Sequence, residues 1–201
     1  GNVGDQIRRA LTDAAHRDVK VRLLLDAYGS SSVATGYFSE LQAAGAEVIW
    51  FNPKQLLRLS FRNHRKLLVC DQDVAVVGGL NIADNYDGDG VTQGWLDVAL
   101  QIEGPVAGAL AGSFEAMYAL APMNPAAIRE FRSAVRELHA LHHPEGAVQL
   151  LVSGPGWRAG LLSRVLRHDL ERSRSVRCVS GYFLPPTRMR RALRRCTARG
   201  G

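Results

Sequence analysis

Cysteine is scarce in this sequence, and the few cysteines present are not spaced for cross-linking or metal binding. There are three, Cys70, Cys178 and Cys196, an odd number without a C-x-x-C pair. Disulfide frameworks and thiolate zinc sites require paired, regularly spaced thiols. We therefore expect that the three thiols are structural or incidental and that the protein resides in a reducing compartment.

Several other signatures are missing from the sequence. It has no P-loop, no glycine-rich dinucleotide motif and no cluster of His, Cys, Asp and Glu at zinc spacing. The pair His142–His143 adjoins Pro144, which is typical of a linker rather than of metal ligands. We therefore expect no metal ion and no organic cofactor.

Long apolar runs are absent as well. No charged-then-apolar segment opens the sequence, so no signal peptide is predicted. The most apolar window, Pro105 to Met123, is bounded by prolines, contains Glu115 and is rich in small residues. A membrane-spanning helix needs about 20 consecutive apolar residues. This window is instead predicted to be a helix packed in the core.

Arginine is the residue present in excess. It carries most of the net charge of +6, and the sequence pI is near 9.6. Basic character suits anionic partners such as phospholipid headgroups or nucleic acid, although an arginine-rich coding bias gives the same balance.

Strand and helix patterns alternate along the chain. Strands are predicted at 19–25, 47–51, 61–71, 74–77, 95–102, 147–152 and 176–183. Helices are predicted at 5–16, 35–44, 105–123, 125–142, 158–172 and 186–199. Such alternation is typical of an α/β layered fold.

A short internal repeat indicates a duplication. The segment Ile7-Arg-Arg-Ala-Leu11 recurs as Met189-Arg-Arg-Ala-Leu193, although so short and arginine-rich a match also arises from composition. If the repeat is real, the chain holds one α/β unit and the opening of its duplicate. The counterpart of His64 would then fall beyond Gly201, and we expect a fragment cut at both ends.

The stretch from residue 64 to residue 81 carries the residues most suited to catalysis. It combines an H-x-K-x(4)-D pattern with a G-G-x-N turn. The residues of this motif are His64, Lys66, Asp71, Gly78, Gly79 and Asn81.

These residue types can attack a phosphodiester without a metal. An imidazole that is neutral near pH 7 can form a phosphohistidine, so His64 is the predicted nucleophile. Lys66, on the same strand face, and Asn81 would hold the non-bridging oxygens. Gly78 and Gly79 would let backbone approach the ligand closely. The alternatives are that His64 is an ordinary surface histidine, that Lys66 is a solvated strand lysine and that Asn81 caps a turn. The alternative for the two glycines is a tight turn at the end of the strand.

Two carboxylates are further candidates. Asp71 is an odd number of residues from His64, which puts it on the opposite face of the strand. A structural role for Asp71 in the following turn is therefore as good an interpretation as a catalytic role. A histidine nucleophile is helped by a carboxylate that fixes its tautomer. Asp97 is the candidate, on a strand beside the motif hairpin, and an ion pair with arginine is its alternative.

The motif resembles that of the phospholipase D superfamily. The flanks VKVRLLLDAYGS, LQAAGAEVIWFNP and WLDVALQIEGPVAG are similar to the cardiolipin synthase branch, and LLVSGPGW and VSGYFLPPTRMRRALRR resemble the entrance to its second half. The resemblance implies a mixed β-sheet flanked by helices in a pseudo-two-fold duplicated protein. It places a first domain at residues 1–143, without its opening strand, and the start of a second at 144–201, truncated before its motif.

The resemblance also implies an activity. Such proteins transfer a phosphatidyl group from a phosphatidylglycerol-like lipid to an alcohol, with one histidine attacking phosphorus and the histidine of a second motif protonating the leaving alkoxide. An acid from the downstream region that holds Asp97 often orients the nucleophile. The second motif would come from the missing C-terminal half or from a homodimer, so little turnover is expected from this chain alone.

The expected setting is a membrane surface on the cytoplasmic side, bound peripherally. The alternatives are a phospholipase D-type hydrolase, a nuclease-like phosphodiesterase with the same chemistry, and a half that only binds lipid or a partner subunit.

Overall fold

The computed structural model describes residues 1–52, 62–140, 148, 150–152, 160–178 and 183–200. The chain divides into two compact units, Gly1–Leu150 and Leu151–Gly201. The first unit contains the motif.

The first unit opens with two helices packed on a parallel strand pair. Helix α1 (Asn2–His16) precedes strand β1 (Arg22–Asp26), and helix α2 (Ser39–Ala43) precedes strand β2 (Glu47–Phe51). The strands pair in parallel, with Arg22 opposite Glu47 and Asp26 opposite Phe51. Their common core centres on four buried residues, Ala15, Val21, Leu41 and Ala46.

A separate antiparallel sheet carries the motif. Its order is β3 (Lys66–Cys70), β4 (Val74–Gly78) and β5 (Ala99–Glu103). The register places Gly78 opposite both Lys66 and Ala99. The motif residues at the start of β3 and the end of β4 therefore lie at one end of this sheet.

Two long helices complete the first unit, α3 (Pro105–Leu120) and α4 (Pro125–Ala140). Ala107 and Leu110 of α3 bury Ala75 of β4. Phe131 and Val135 of α4 are fully buried. Burying a side chain of this size stabilises a fold by about 1.5–3 kcal/mol, so α3 and α4 form a substantial part of the core.

Polar contacts from α3 also reach the parallel strands. Arg22 of β1 forms an ion pair with Glu115, and its guanidinium lies over the rings of Phe114 and Tyr118. The Tyr118 hydroxyl donates to Glu47 of β2 at 2.7 Å. Burial and the Glu47 carboxylate raise the pKa of Tyr118 to about 12. Helix α3 thus contacts both sheets, which fixes β1 relative to the motif.

The second unit contains helices α5 (Gly160–Arg172) and α6 (Thr187–Thr197). Ala192 and Cys196 of α6 are buried, and the Cys196 thiol donates to the carbonyl of Ser173 at 3.2 Å. The other two cysteines are exposed.

The α/β prediction is confirmed, although the described strands form two small sheets. Two predicted strands, 147–152 and 176–183, are wrong in the part that the structure describes. Residues 148 and 150–152 are not in a strand, and neither are residues 176–178 and 183. Residues 147, 149 and 179–182 of those segments lie outside the described residues, as does His142–His143.

Both copies of the short repeat lie on helices, α1 and α6, but they bury different positions. Ala10 is exposed, whereas its counterpart Ala192 is buried. The duplication, and with it the boundary at residue 143, stays a prediction.

Candidate active site

His64 lies just before strand β3 and is exposed to solvent. The prediction that it lies on the strand is wrong, because pairing with β4 begins only at Lys66. The segment is nevertheless held in place. The backbone N–H of Asn63 donates to Asp26 at 2.8 Å, and the Asn63 side chain accepts the N–H of Arg65 at 3.4 Å. An exposed ring on a fixed backbone suits a nucleophile.

Lys66 is adjacent to the histidine segment, since its ammonium donates to the backbone carbonyl of His64 at 3.1 Å. Partial burial lowers the pKa of Lys66, and the carboxylates of Asp97 and Asp26 oppose that lowering. The two carboxylates therefore favour the charged ammonium that a phosphate would need.

The double glycine permits a close approach between β4 and the segment before β5. A Cβ on Gly78 would lie 2.5 Å from the Cα of Ala99, and one on Gly79 would lie 2.6 Å from the Cγ of Asp97. The space beside Gly79 is thus occupied by the Asp97 carboxylate. The prediction that the glycines admit a ligand stays a prediction, and their structural role is to admit β5 and Asp97.

Asp97 lies in the loop before β5, not on a strand as predicted. The reason is that β4 ends at Gly78, whose partner is Ala99, so that no strand is available to pair with Asp97. The Asp97 carboxylate accepts the N–H of Val98 at 2.7 Å and is exposed. Within the described part of the chain, no hydrogen bond joins it to His64.

Asn81 follows the sheet and is held by an aromatic residue. Its amide donates to the hydroxyl of Tyr86 at 2.8 Å, and the Tyr86 ring packs edge-on against Trp95 at 5.3 Å. Tyr86 closes the short 3₁₀ helix Asp84–Tyr86. The amide is exposed and near the end of β4, where it could reach a phosphate oxygen.

Asp71 is not brought to the other site residues. It opens the turn that joins β3 to β4, and both Asp71 and Gln72 have positive φ, 51° and 62°. Three residues, 71–73, join the two strands, and the N–H of Asp73 donates to the carbonyl of Cys70 at 3.1 Å, which closes a tight turn. The turn lies at the far end of β3 from His64, roughly 15 Å along the strand. The structural alternative for Asp71 agrees with this position.

Two residues that contact the motif, Asp26 and Tyr86, were not predicted as site residues. Asp26 lies 38 residues before His64 in sequence, and the sequence pattern indicates only that it ends a strand. Tyr86 had a nearby signal, since it follows the G-G-x-N turn in the run NIADNY.

The arrangement is equipped for metal-free attack on a phosphodiester. It offers an exposed imidazole, an adjacent ammonium, an amide donor and a nearby carboxylate, all around one end of the antiparallel sheet. Among the residues that the structure describes, no three His, Cys, Asp or Glu side chains converge on a metal position. No helix in the described ranges is both long and apolar enough to cross a bilayer.

Fold and site together define a phospholipase D-like domain. The family model described as "Cardiolipin synthase, PLD-like domain" matches residues 3–103, which include every motif residue. The chain belongs to this family. It is 34% identical to a cardiolipin synthase of Geobacillus kaustophilus, over 91% of this chain and 37% of that protein.

Other relatives give the same result. Cardiolipin synthase B of Salmonella typhi is 32% identical over 98% of this chain and 49% of its own length. The major cardiolipin synthase ClsA of Bacillus subtilis is 31% identical over 96% of this chain and 40% of its own. The chain therefore spans between 37% and 49% of the length of these relatives.

Proposed function

We propose that the chain supplies one half of a phosphatidyltransferase active site of the cardiolipin synthase type. One observation carries the proposal: an exposed His64 stands beside Lys66 in a chain of this family. The substrate would be a phosphatidylglycerol-like lipid, since relatives of 31–34% identity are named cardiolipin synthases.

The reaction proceeds in two displacements at phosphorus. A ring nitrogen of His64 attacks the phosphodiester, the bond from phosphorus to the departing alcohol breaks, and a phosphatidyl-histidine forms. An acceptor alcohol then attacks phosphorus, loses its proton and releases the imidazole. Lys66 and the Asn81 amide stabilise the charge on the non-bridging oxygens in both steps.

The departing alkoxide needs a proton, and this sequence contains a single H-x-K-x(4)-D motif. We propose that a second motif, from a continuation of the chain or from a second copy of it, supplies that acid. Transfer from a natural lipid by this chain alone is therefore slow.

A membrane surface is the proposed setting, contacted through helix α6. Residues 151–201 contain twelve arginines and no lysine, against only Asp169 and Glu171. Arg188, Arg191 and Arg194 of α6 are exposed, and Arg191 and Arg194 lie on the side of the helix away from the buried Ala192 and Cys196. None of the three arginines makes a hydrogen bond or ion pair with the described residues.

Apolar side chains adjoin this cationic face. Phe183 and Leu184, just before α6, are 55% and 90% exposed. Cationic residues beside exposed apolar ones are typical of a surface that lies on anionic phospholipid. The cytoplasmic side stays a prediction.

Activated substrates test the proposal without the second motif. A p-nitrophenyl ester of phosphatidic acid and a p-nitrophenyl ester of a nucleoside monophosphate both release p-nitrophenolate, which departs without protonation. The proposal predicts a burst of p-nitrophenolate from the phosphatidyl ester, lost in His64→Ala and retained in the control His16→Ala. His16 is an exposed histidine at the end of α1.

The comparison separates the substrate classes. A faster His64-dependent burst from the nucleotide ester would replace the lipid proposal with a nucleic-acid phosphodiesterase. No burst from either ester would leave a binding role and overturn the enzymatic one.

A further inference from the structure

The carboxylate of Asp26 connects the parallel sheet to the segment that carries His64. Asp26 is the last residue of β1, and its side chain is only 13% exposed. One oxygen accepts the backbone N–H of Asn63 at 2.8 Å. The other accepts the N–H of Gly29 at 2.8 Å and the Nε–H of Arg62 at 3.1 Å. Three donors thus converge on one carboxylate.

The surroundings of this carboxylate are packed to hold one geometry. The Arg62 guanidinium lies 3.8 Å from the centre of the Tyr28 ring. A Cβ on Gly29 would stand 3.3 Å from the Asp26 carboxylate, which is tighter than an ordinary contact. Burial raises the pKa of Asp26, but the N–H donors of Gly29 and Asn63 together with the Arg62 guanidinium outweigh it and hold that pKa below its usual value. Asp26 is therefore charged at neutral pH.

The backbone is fixed on both sides of His64. Before it, the Asn63 N–H is bound to Asp26, and after it, the Arg65 N–H is bound to the Asn63 side chain. Since His64 precedes the first paired residue of β3, sheet hydrogen bonds do not position it. The Asp26 carboxylate provides the anchor that the sheet does not.

We propose that Asp26 is a positioning residue for the phosphoryl-transfer site: it fixes the His64 segment by hydrogen bonding and supplies a counter-charge to Lys66. This inference rests on the proposed function, because it concerns the same nucleophile. Displacing a reacting group by about 1 Å can cost on the order of 100-fold in rate. Asp26 therefore controls the rate of attack without touching substrate.

The counter-charge gives the role a pH signature. The carboxylates of Asp97 and Asp26 raise the pKa of Lys66, against the lowering caused by burial. The other basic side chains nearby are Arg62, His64 and Arg65, on the same segment. Activity that needs the ammonium is lost as pH rises through the pKa of Lys66. Removing the Asp26 charge lowers that pKa and moves the alkaline limb of the rate profile to lower pH.

The test is the rate of the p-nitrophenolate burst from the phosphatidyl ester in Asp26→Asn. We expect a burst about 10- to 100-fold slower than in wild type. The substrate concentration that gives half of the maximal burst rate should stay within about twofold of wild type. The alkaline limb of the rate profile should be displaced to lower pH. The matched control is Asp13→Asn, an exposed aspartate of α1, which should leave all three unchanged. Arg62→Gln keeps the Asn63 contact and should slow the burst by less than about threefold.

A second variant separates geometry from charge. Asp26→Glu keeps the charge but moves the carboxylate by one methylene, so it should slow the burst at least about tenfold while the alkaline limb stays in place. It also decides the matter if Asp26→Asn does not fold. A wild-type rate in Asp26→Glu would overturn the positioning by hydrogen bonds, and a slow Asp26→Asn with an undisplaced limb would overturn the counter-charge to Lys66. A wild-type chain without any burst would instead refute the proposed function.

Discussion

At the residue scale, most of the predicted site residues lie at one end of the antiparallel sheet, but Asp71 lies at the other end. His64 and Lys66 are adjacent at the start of β3, and Asp97 reaches the same end of the sheet beside Gly79. Asp71 lies in the turn at the other end of β3. The two aspartates should therefore behave differently when each is neutralised.

The change Asp71→Asn should leave the burst rate within about threefold of wild type, because asparagine also adopts positive φ readily. The change Asp97→Asn should slow the burst at least about tenfold, because it removes a carboxylate that favours the charged ammonium of Lys66. Stopped-flow measurement of p-nitrophenolate release checks both. Equal slowing in the two variants would show that distance from His64 does not separate their roles.

The adjacency of His64 and Lys66 could be predicted from sequence because they stand two residues apart, whereas the chemistry assigned to them stays a prediction. The odd offset of Asp71 from His64 also gave its structural alternative. Asp26 could not be predicted, since its link to Asn63 is a contact between segments 37 residues apart that exists only after folding.

At the element scale, the close approach of β4 to β5 decides where Asp97 lies. Gly78 pairs with Ala99, and the N–H of Gly79 donates to the carbonyl of Val98 at 3.0 Å. Side chains at these two positions would push the strands apart. The glycines thus connect sheet geometry to the placement of the carboxylate.

The change Gly78→Ala should lower the free energy of unfolding by about 1–3 kcal/mol, because the new methyl group overlaps the β5 backbone. The matched control is Gly108→Ala in α3, where a Cβ would meet its nearest neighbour, the carbonyl of Gln72, at 3.6 Å. There alanine should be neutral or stabilising by up to about 1 kcal/mol. Urea unfolding followed by circular dichroism measures both, and equal effects would contradict the packing argument.

Strand and helix existence could be predicted better than strand ends. The pattern at 47–51 matches β2, whereas β3 and β5 are shorter than predicted. The alternation of apolar and polar residues continues past the point where the partner strand ends. The sequence of one strand does not show where its partner ends. For this reason His64 and Asp97 were predicted to lie in strands, whereas pairing begins only at Lys66 and Ala99.

At the scale of the whole molecule, charge is distributed unevenly between the two units. Nearly half of the 25 basic residues are the twelve arginines of 151–201, which have only two acidic neighbours in sequence. The apparent mild basicity of the chain thus conceals a strongly basic second unit. The run of arginines in α6 marks this surface in the sequence, but the side of the helix that packs inward is known only from the buried Ala192 and Cys196.

Binding to vesicles containing phosphatidylglycerol should weaken about 100-fold in the combined variant Arg188→Gln, Arg191→Gln and Arg194→Gln, at about 1 kcal/mol for each arginine near an anionic surface. The matched control neutralises three exposed arginines of another helix, Arg129, Arg132 and Arg136 of α4. Vesicle co-sedimentation at rising salt measures both. Equal weakening in the two variants would refute the assignment to α6, and so would retained vesicle binding together with lost plasmid binding.

The most direct test of the account is to map the covalent intermediate. After reaction with the p-nitrophenyl phosphatidyl ester, the chain is digested at neutral pH and the adduct is located by peptide mass spectrometry. We expect a phosphatidyl adduct on His64, absent from His64→Ala and reduced in Lys66→Ala. An adduct on another residue, or a p-nitrophenolate burst that leaves His64 unmodified, would contradict it.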